Sequence, residues 1–189
     1  MDITKNRLGV EKKFWELCLS VVQDQGLALY DLEFLPGQKL LRLYIMNPET
    51  KSAVIEDCIK VDHALTPFFE SEEWMPAEVT LEVGSPGVYR HVYGLDHFKM
   101  GLGETHSVTI MGNLDPMLNV GAPKKVLSSK KFNGELVEAT PAGVVLETDD
   151  GRVTIAFASI KNAQVDPDFE ELMNKAKETD TNPTSQEAE

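Results

Sequence analysis

The chain has 189 residues, and its 31 acidic and 18 basic residues give a formal net charge of -13. Hydrophobic residues make up 42% of the sequence, enough for the core of one ordinary domain or two small ones. The charge argues against a general nucleic-acid binder, which needs a positive surface. With no apolar run of membrane-spanning length and no secretory signal pattern, we expect a soluble cytoplasmic protein.

The negative charge is unevenly distributed along the chain. Residues 1–89 carry a net charge of -7, residues 90–165 are neutral overall, and residues 166–189 carry -6. Within the neutral stretch, four lysines fall close together: Lys124, Lys125, Lys130 and Lys131. Two interpretations of this cluster stay open, a solvated loop or a basic patch that faces phosphate or an acidic partner.

Hydrophobic periodicity in the first half of the chain predicts helix, strand, strand, helix and strand, in that order. We expect Pro67 to kink or end the second helix near its last turn. Two helices covering one face of a three-stranded sheet would bury these stripes, which predicts an N-terminal α/β domain over residues 1–87. The predicted elements span residues 8–25, 27–35, 40–46, 55–69 and 79–83.

A turn sequence that contains Ser85, Pro86 and Gly87 interrupts this pattern and predicts a hinge. Beyond it, short alternating runs with tight turns between them predict a small β-barrel, so the fold class is α+β with the barrel domain over residues 88–167. Residues 168–189 are expected to form an acidic, largely disordered tail. The five predicted barrel strands span residues 107–111, 132–138, 144–148, 152–157 and 160–165.

Residue types that carry catalysis or bind metals do not occur in a recognisable arrangement. None of the four histidines has metal-ligand spacing, and Cys18 and Cys58 fall on apolar helix faces. No phosphate-binding loop is present, and no nucleophile, base and orienting group can be assembled. The sequence therefore predicts a protein that is not an enzyme, with no catalytic residues, no cofactor and no metal site.

Several short segments, weak individually, are specific when they occur together in this order. The hinge segment reads LEVGSPG at positions 81–87, and it is followed by the barrel strands. Together these segments resemble the RimP family of bacterial ribosome maturation factors from about residue 8 to residue 169. The others are YDLEF at 30–34, LRLYI at 41–45, IEDC at 55–58, DHF at 96–98, KKFNGEL at 130–136 and IAFASIKNA at 155–163.

The resemblance implies an N-terminal α/β domain followed by an SH3-like (Sm-like) barrel. It also implies a non-catalytic factor in maturation of the small (30S) ribosomal subunit, which binds the free subunit and helps ribosomal protein twelve, a basic protein of the decoding region, to be incorporated. We expect such a protein to be a monomer without a membrane partner. Candidate contacts with that partner or with rRNA phosphate are six of the basic residues after the hinge: Arg90, Lys124, Lys125, Lys130, Lys131 and Lys161.

The alternative function is a non-ribosomal adaptor whose SH3-like barrel binds a peptide or RNA. A groove for proline-rich peptides would need a cluster of exposed aromatic side chains, and the barrel sequence offers none. The two functions can be separated by the ribosome profile of a strain that lacks the protein.

The sequence departs from the family pattern at three places. The loop at residues 112–129 is longer than is usual between the first two barrel strands. Val54 stands where the family often has a Thr or Ser that caps the second helix. The hinge usually reads SSPGLDRP in the family, and four of its positions differ here: Gly84, Val88, Tyr89 and His91.

Overall fold

The computed structural model describes residues 5–168, which contain four α-helices and nine β-strands. In chain order these are α1 (Gly9–Asp24), β1 (Ala28–Leu35), β2 (Leu40–Met46), α2 (Ile55–Ser71), β3 (Thr80–Gly84), β4 (Arg90–His91), α3 (Leu95–Met100), β5 (Thr105–Ile110), α4 (Lys124–Ser128), β6 (Lys131–Ala139), β7 (Gly143–Thr148), β8 (Gly151–Ala156) and β9 (Ile160–Val165).

The N-terminal elements follow the predicted order and form an α/β unit. β1 and β2 pair antiparallel as a hairpin, and β3 pairs parallel to β2. One core joins the inward side chains of α1 and α2 to the strands, with Phe14, Leu32 and Leu65 fully buried. Burial of these apolar faces supplies most of the driving force for this part of the fold.

The second helix does not end at Pro67 but continues to Ser71. A proline inside a helix lacks the N–H that would bond the carbonyl four residues earlier. Leu65 before it is fully buried, and Phe68 and Phe69 after it pack against the same core, which stabilises the last turn despite the missing bond.

The C-terminal elements form one antiparallel sheet with the strand order β4-β9-β5-β6-β7-β8. It contains the five predicted strands and, in addition, the two-residue β4. Within the described residues the order ends at β4 and β8, so the closed barrel stays a prediction. A second core, which includes Phe98, Leu136 and Ile155, shares no residue with the first.

Gly134 explains one of the short sequence segments. A Cβ atom added there would lie 2.2 Å from the carbonyl oxygen of Glu147, because the backbones of β6 and β7 approach closely. Only glycine fits this position without a shift of the backbone.

The two cores agree with a division of the chain into two domains, but the boundaries 1–87, 88–167 and 168–189 stay predictions. All but the first residue of the predicted tail lies outside the described part. Within that part, none of the helices is both long and apolar enough to span a membrane.

Candidate interaction surfaces

The five lysines predicted to contact a partner are all exposed. They lie on three elements and one loop, and four of them fall within residues 124–131, at or shortly before the start of β6. Lys124 and Lys125 begin α4, Lys130 precedes β6, Lys131 begins β6, and Lys161 lies on β9. Exposed ammonium groups can bind phosphate or carboxylate groups of a partner, and Lys130 already donates to the carbonyl of Gly112 and to the side chain of Asn113.

Arg90 was expected to be a contact on the surface, but it is buried. Its side chain is only 5% exposed, and its guanidinium binds the carboxylate of Glu104 and lies 5.7 Å from the ring centre of Tyr30. It also donates a 3.4 Å hydrogen bond to the carbonyl of Gly87. Arg90 is therefore occupied inside the protein, where it links the hinge to both parts of the chain.

The predicted hinge has a defined turn geometry. Gly87 has φ +78°, a conformation that glycine adopts without a steric cost. Its N–H donates to the hydroxyl of Ser85 at 3.3 Å, a local bond that fixes the turn. The segment thus turns sharply between β3 and β4, and contacts beyond it hold the two parts together.

Those contacts centre on Tyr30 of β1. Its hydroxyl donates to the carbonyl of His91 at 2.7 Å, and its ring stacks on His97 with ring centres 4.2 Å apart. A second link comes from Lys51, whose ammonium donates to the carbonyl of Leu102. These bonds fix residues 90–104 against the N-terminal unit.

Burial favours the neutral form of two histidines near this junction. Burial lowers the pKa of both His97 and His106 below the ordinary value. His106 is fully buried, its Nδ1 lies 2.8 Å from the carbonyl of Glu104, and its Nε2 has no partner among the described residues. Because a carbonyl only accepts, Nδ1 carries the proton, and the ring packs so closely on Gly101 that a Cβ atom added there would lie 2.7 Å from Nε2.

The long loop at residues 112–129 is packed at its base, unlike a freely solvated loop. Leu114 and Val126 are buried in the C-terminal core. Asn119, only 6% exposed, bonds the backbone of Thr154 in β8 twice: its amide donates to the carbonyl at 2.9 Å and accepts from the N–H at 2.8 Å. Lys130 adds a bond to the carbonyl of Gly112.

The outer face of α2 is acidic. Lys60 is its one lysine or arginine, and this side chain donates to the backbone of Gln25. In the region covered by residues 5–168, no ion pair involves the six carboxylates of α2 and the two residues after it. These are Glu56, Asp57, Asp62, Glu70, Glu72 and Glu73.

The first turn of α2 shows how the helix begins without a capping hydroxyl. Val54 has no side-chain acceptor, and the carboxylate of Asp57 instead accepts the N–H of Val54 at 3.1 Å. Val54, Ile55 and Ile59 are 58%, 74% and 49% exposed beside the carboxylates. The surface thus combines apolar side chains with unpaired negative charge.

Sequence reasoning missed an aromatic cluster. All four tyrosines of the chain, Tyr30, Tyr44, Tyr89 and Tyr93, line one cleft of about 280 Å³ at the junction. Two come from β1 and β2 and two from the segment after the hinge, so their spacing in the sequence gave no signal. Tyr89 is one of the four hinge positions that differ from the family pattern.

A larger groove of about 760 Å³ runs between α1 and α3 and shares Lys5 and Tyr93 with this cleft. Its cations are already engaged: Lys5 and Arg7 both bind the carboxylate of Asp31. The guanidinium of Arg7 also lies 3.8 Å from the ring centre of Trp15.

The described residues contain no group of three or more His, Cys, Asp or Glu side chains that could hold a metal. Burial raises the pKa of Cys18 to about 12 and also raises that of Cys58, so neither thiol is activated as a nucleophile. A comparison with protein families finds a match to the RimP N-terminal domain over residues 17–89.

Proposed function

Because its N-terminal unit places the chain in the RimP family of ribosome maturation factors, we propose that it assists maturation of the small (30S) ribosomal subunit. The match over residues 17–89 is the observation that carries this proposal. In this role the protein binds the free subunit and the basic ribosomal protein twelve, and it acts in the cytoplasm as a monomer without catalysis. The six-stranded sheet is proposed to be the SH3-like barrel of the family.

The acidic face of α2 supports a basic protein as the direct partner. Ribosomal proteins carry many positive charges, and unpaired carboxylates attract such a protein and accelerate its association. The exposed Val54, Ile55 and Ile59 add apolar contacts that a purely electrostatic encounter lacks. We therefore assign ribosomal protein twelve to this surface and the lysines around the start of β6 to rRNA phosphate.

A deletion strain tests the function as a whole. Sucrose gradients should show accumulated free subunits and immature small-subunit rRNA, and expression of the wild-type chain should restore the profile. A normal profile in the deletion strain would overturn the proposal and leave the adaptor function.

The surface for the basic protein can be tested with purified components. Pull-down of ribosomal protein twelve should occur at low salt and weaken as salt rises. Replacement of Glu56, Asp62 and Glu70 by the neutral Gln or Asn should weaken capture. The matched control neutralises three exposed carboxylates of the C-terminal part in the same way: Glu135 and Glu138 of β6, and Asp150 in the turn before β8. If both variants lose the same amount of capture, the effect depends on net charge alone, which would contradict a specific binding surface on α2.

The lysines are tested separately. Lys124, Lys125 and Lys131 are changed to Glu, and Lys130 is kept because it also holds the loop. Binding to the free small subunit should weaken, whereas the same changes at Lys12, Lys13 and Lys99, on helices elsewhere, should have less effect. If the first variant binds the free small subunit with unchanged affinity, the loop is not part of the binding surface.

A further inference from the structure

The cleft lined by the four tyrosines has walls from both parts of the chain. On one side lies the exposed face of the hairpin, where Tyr44 of β2 is opposite Asp31 of β1. On the other side lies the segment after the hinge, which contributes Tyr89 and Tyr93. The cleft therefore exists only while the two parts are held together.

Two of the four rings already face a cation. The guanidinium of Arg90 lies 5.7 Å from the ring centre of Tyr30, and the ammonium of Lys5 lies 5.4 Å from that of Tyr93. Both distances are within the range in which a cation is attracted to the face of an aromatic ring. Within residues 5–168, no such cation is found at the rings of Tyr44 and Tyr89.

The cations around the cleft are engaged by carboxylates, which leaves the loosely paired Glu33 to attract a further cation. Glu104 pairs with Arg90, and Asp31 pairs with both Lys5 and Arg7, so these three cations are engaged and are not available to a ligand. The carboxylate of Glu33 is 45% exposed, and its nearest cation, an Arg42 nitrogen, is 3.8 Å away. Burial, and next the charges of Asp31 and Glu33, raise the pKa of Tyr93.

We propose that this cleft binds an arginine side chain from a basic protein segment. The guanidinium would lie against Tyr44 and Tyr89, with Glu33 as its counter-charge. A planar guanidinium stacks on aromatic rings and pairs with a carboxylate at the same time, which an ammonium does less well. The volume of about 280 Å³ suits one side chain. The inference deepens the proposed function, since it names the group by which a basic ribosomal protein would be held.

Because every tyrosine of the chain lines the cleft, labelling the tyrosine rings gives an NMR signal from this place alone. The full chain is titrated with an acetylated and amidated Gly-Gly-Arg-Gly-Gly peptide and with the same peptide carrying the uncharged citrulline. The arginine peptide should shift the ring signals of Tyr44 and Tyr89 saturably, and the citrulline peptide should not. Equal shifts, no shifts, or shifts only with a proline-rich peptide or an oligonucleotide would overturn the proposal.

Variants of Tyr89 and Glu33 distinguish the loss of a contact with the arginine from a loss of folding. Tyr89 is 55% exposed, so Tyr89→Leu should fold normally and bind the arginine peptide about five-fold more weakly. Tyr89→Phe keeps the aromatic face and should stay within about two-fold of the wild type. Glu33→Gln should also weaken binding, whereas Glu138→Gln, an exposed carboxylate of the C-terminal sheet, should not. Equal loss in Tyr89→Leu and Tyr89→Phe would contradict a contact with the ring face.

The outcome is independent of the deletion strain. A normal ribosome profile together with arginine binding would refute the proposed function and support arginine binding in the cleft. Disturbed subunit maturation without arginine binding would support the proposed function and refute the proposal that the cleft binds arginine.

Discussion

Replacement of Arg90 by Ala should destabilise the protein rather than remove a contact with rRNA. The substitution deletes a charged hydrogen bond to Glu104 and a cation beside the ring of Tyr30. It also leaves the Glu104 carboxylate, 23% exposed, with only the more distant Lys51 nitrogen at 3.9 Å.

The structure sets the size of this effect. Breaking a fully buried ion pair costs about 3–5 kcal/mol, and partial exposure of Glu104 together with the second cation favours the lower end, about 3 kcal/mol. With an urea slope of about 2 kcal/mol per M, the unfolding midpoint should fall by about 1.5 M.

Urea unfolding of Arg90→Ala, Glu104→Ala and the double variant measures this contribution directly. The coupling energy between the two sites should be about 2 kcal/mol, because the residues are in contact. If Arg90→Ala loses less than about 1 kcal/mol of stability but no longer binds the free small subunit, Arg90 acts as a surface contact and our assignment is wrong.

Further predictions concern the loop, the sheet and the junction. Asn119→Ala should cost about 2 kcal/mol by urea unfolding and speed hydrogen exchange at the Thr154 amide; unchanged exchange would contradict the anchoring role. Gly134→Ala should cost at least about 2 kcal/mol, since the new Cβ would meet the carbonyl of Glu147; a wild-type melting temperature would argue against that close approach. Because burial lowers the pKa of His106, the unfolded chain binds a proton more readily below about pH 6.5, where stability should fall by up to about 1.4 kcal/mol per pH unit. Above that pH this contribution is fully present, and His106→Gln should flatten the acid slope in unfolding curves measured at several pH values.

The elements of the fold were largely predictable because they depend on local patterns. The periodicity of residues 8–25 and 55–69 and the alternation of the strands identify helices and strands without reference to other parts of the chain. Of the two expectations at Pro67, the end of the helix was wrong, because packing of Phe68 and Phe69 against the core outweighs the lost hydrogen bond, and the kink stays a prediction.

The interaction surfaces were less predictable because they depend on distant partners. Arg90 looks like an ordinary exposed cation until Tyr30, sixty positions earlier in the chain, and Glu104 are placed beside it. The tyrosine cleft is assembled from separate elements and has no sequence motif. For the lysine cluster, charge alone left two interpretations open, and the anchoring of the loop through Asn119 could not be inferred from its composition.

The link between Asn119 and β8 bears on association between copies of the protein. β8 is the last strand in the order of the C-terminal sheet, and an outermost strand offers unpaired backbone groups to which a strand of another molecule can add. The side-chain amide of Asn119 occupies the N–H and the carbonyl of Thr154, as a neighbouring strand would. The lengthened loop thus covers part of this edge and disfavours pairing with a strand of another copy. This role requires neither RNA nor a protein partner.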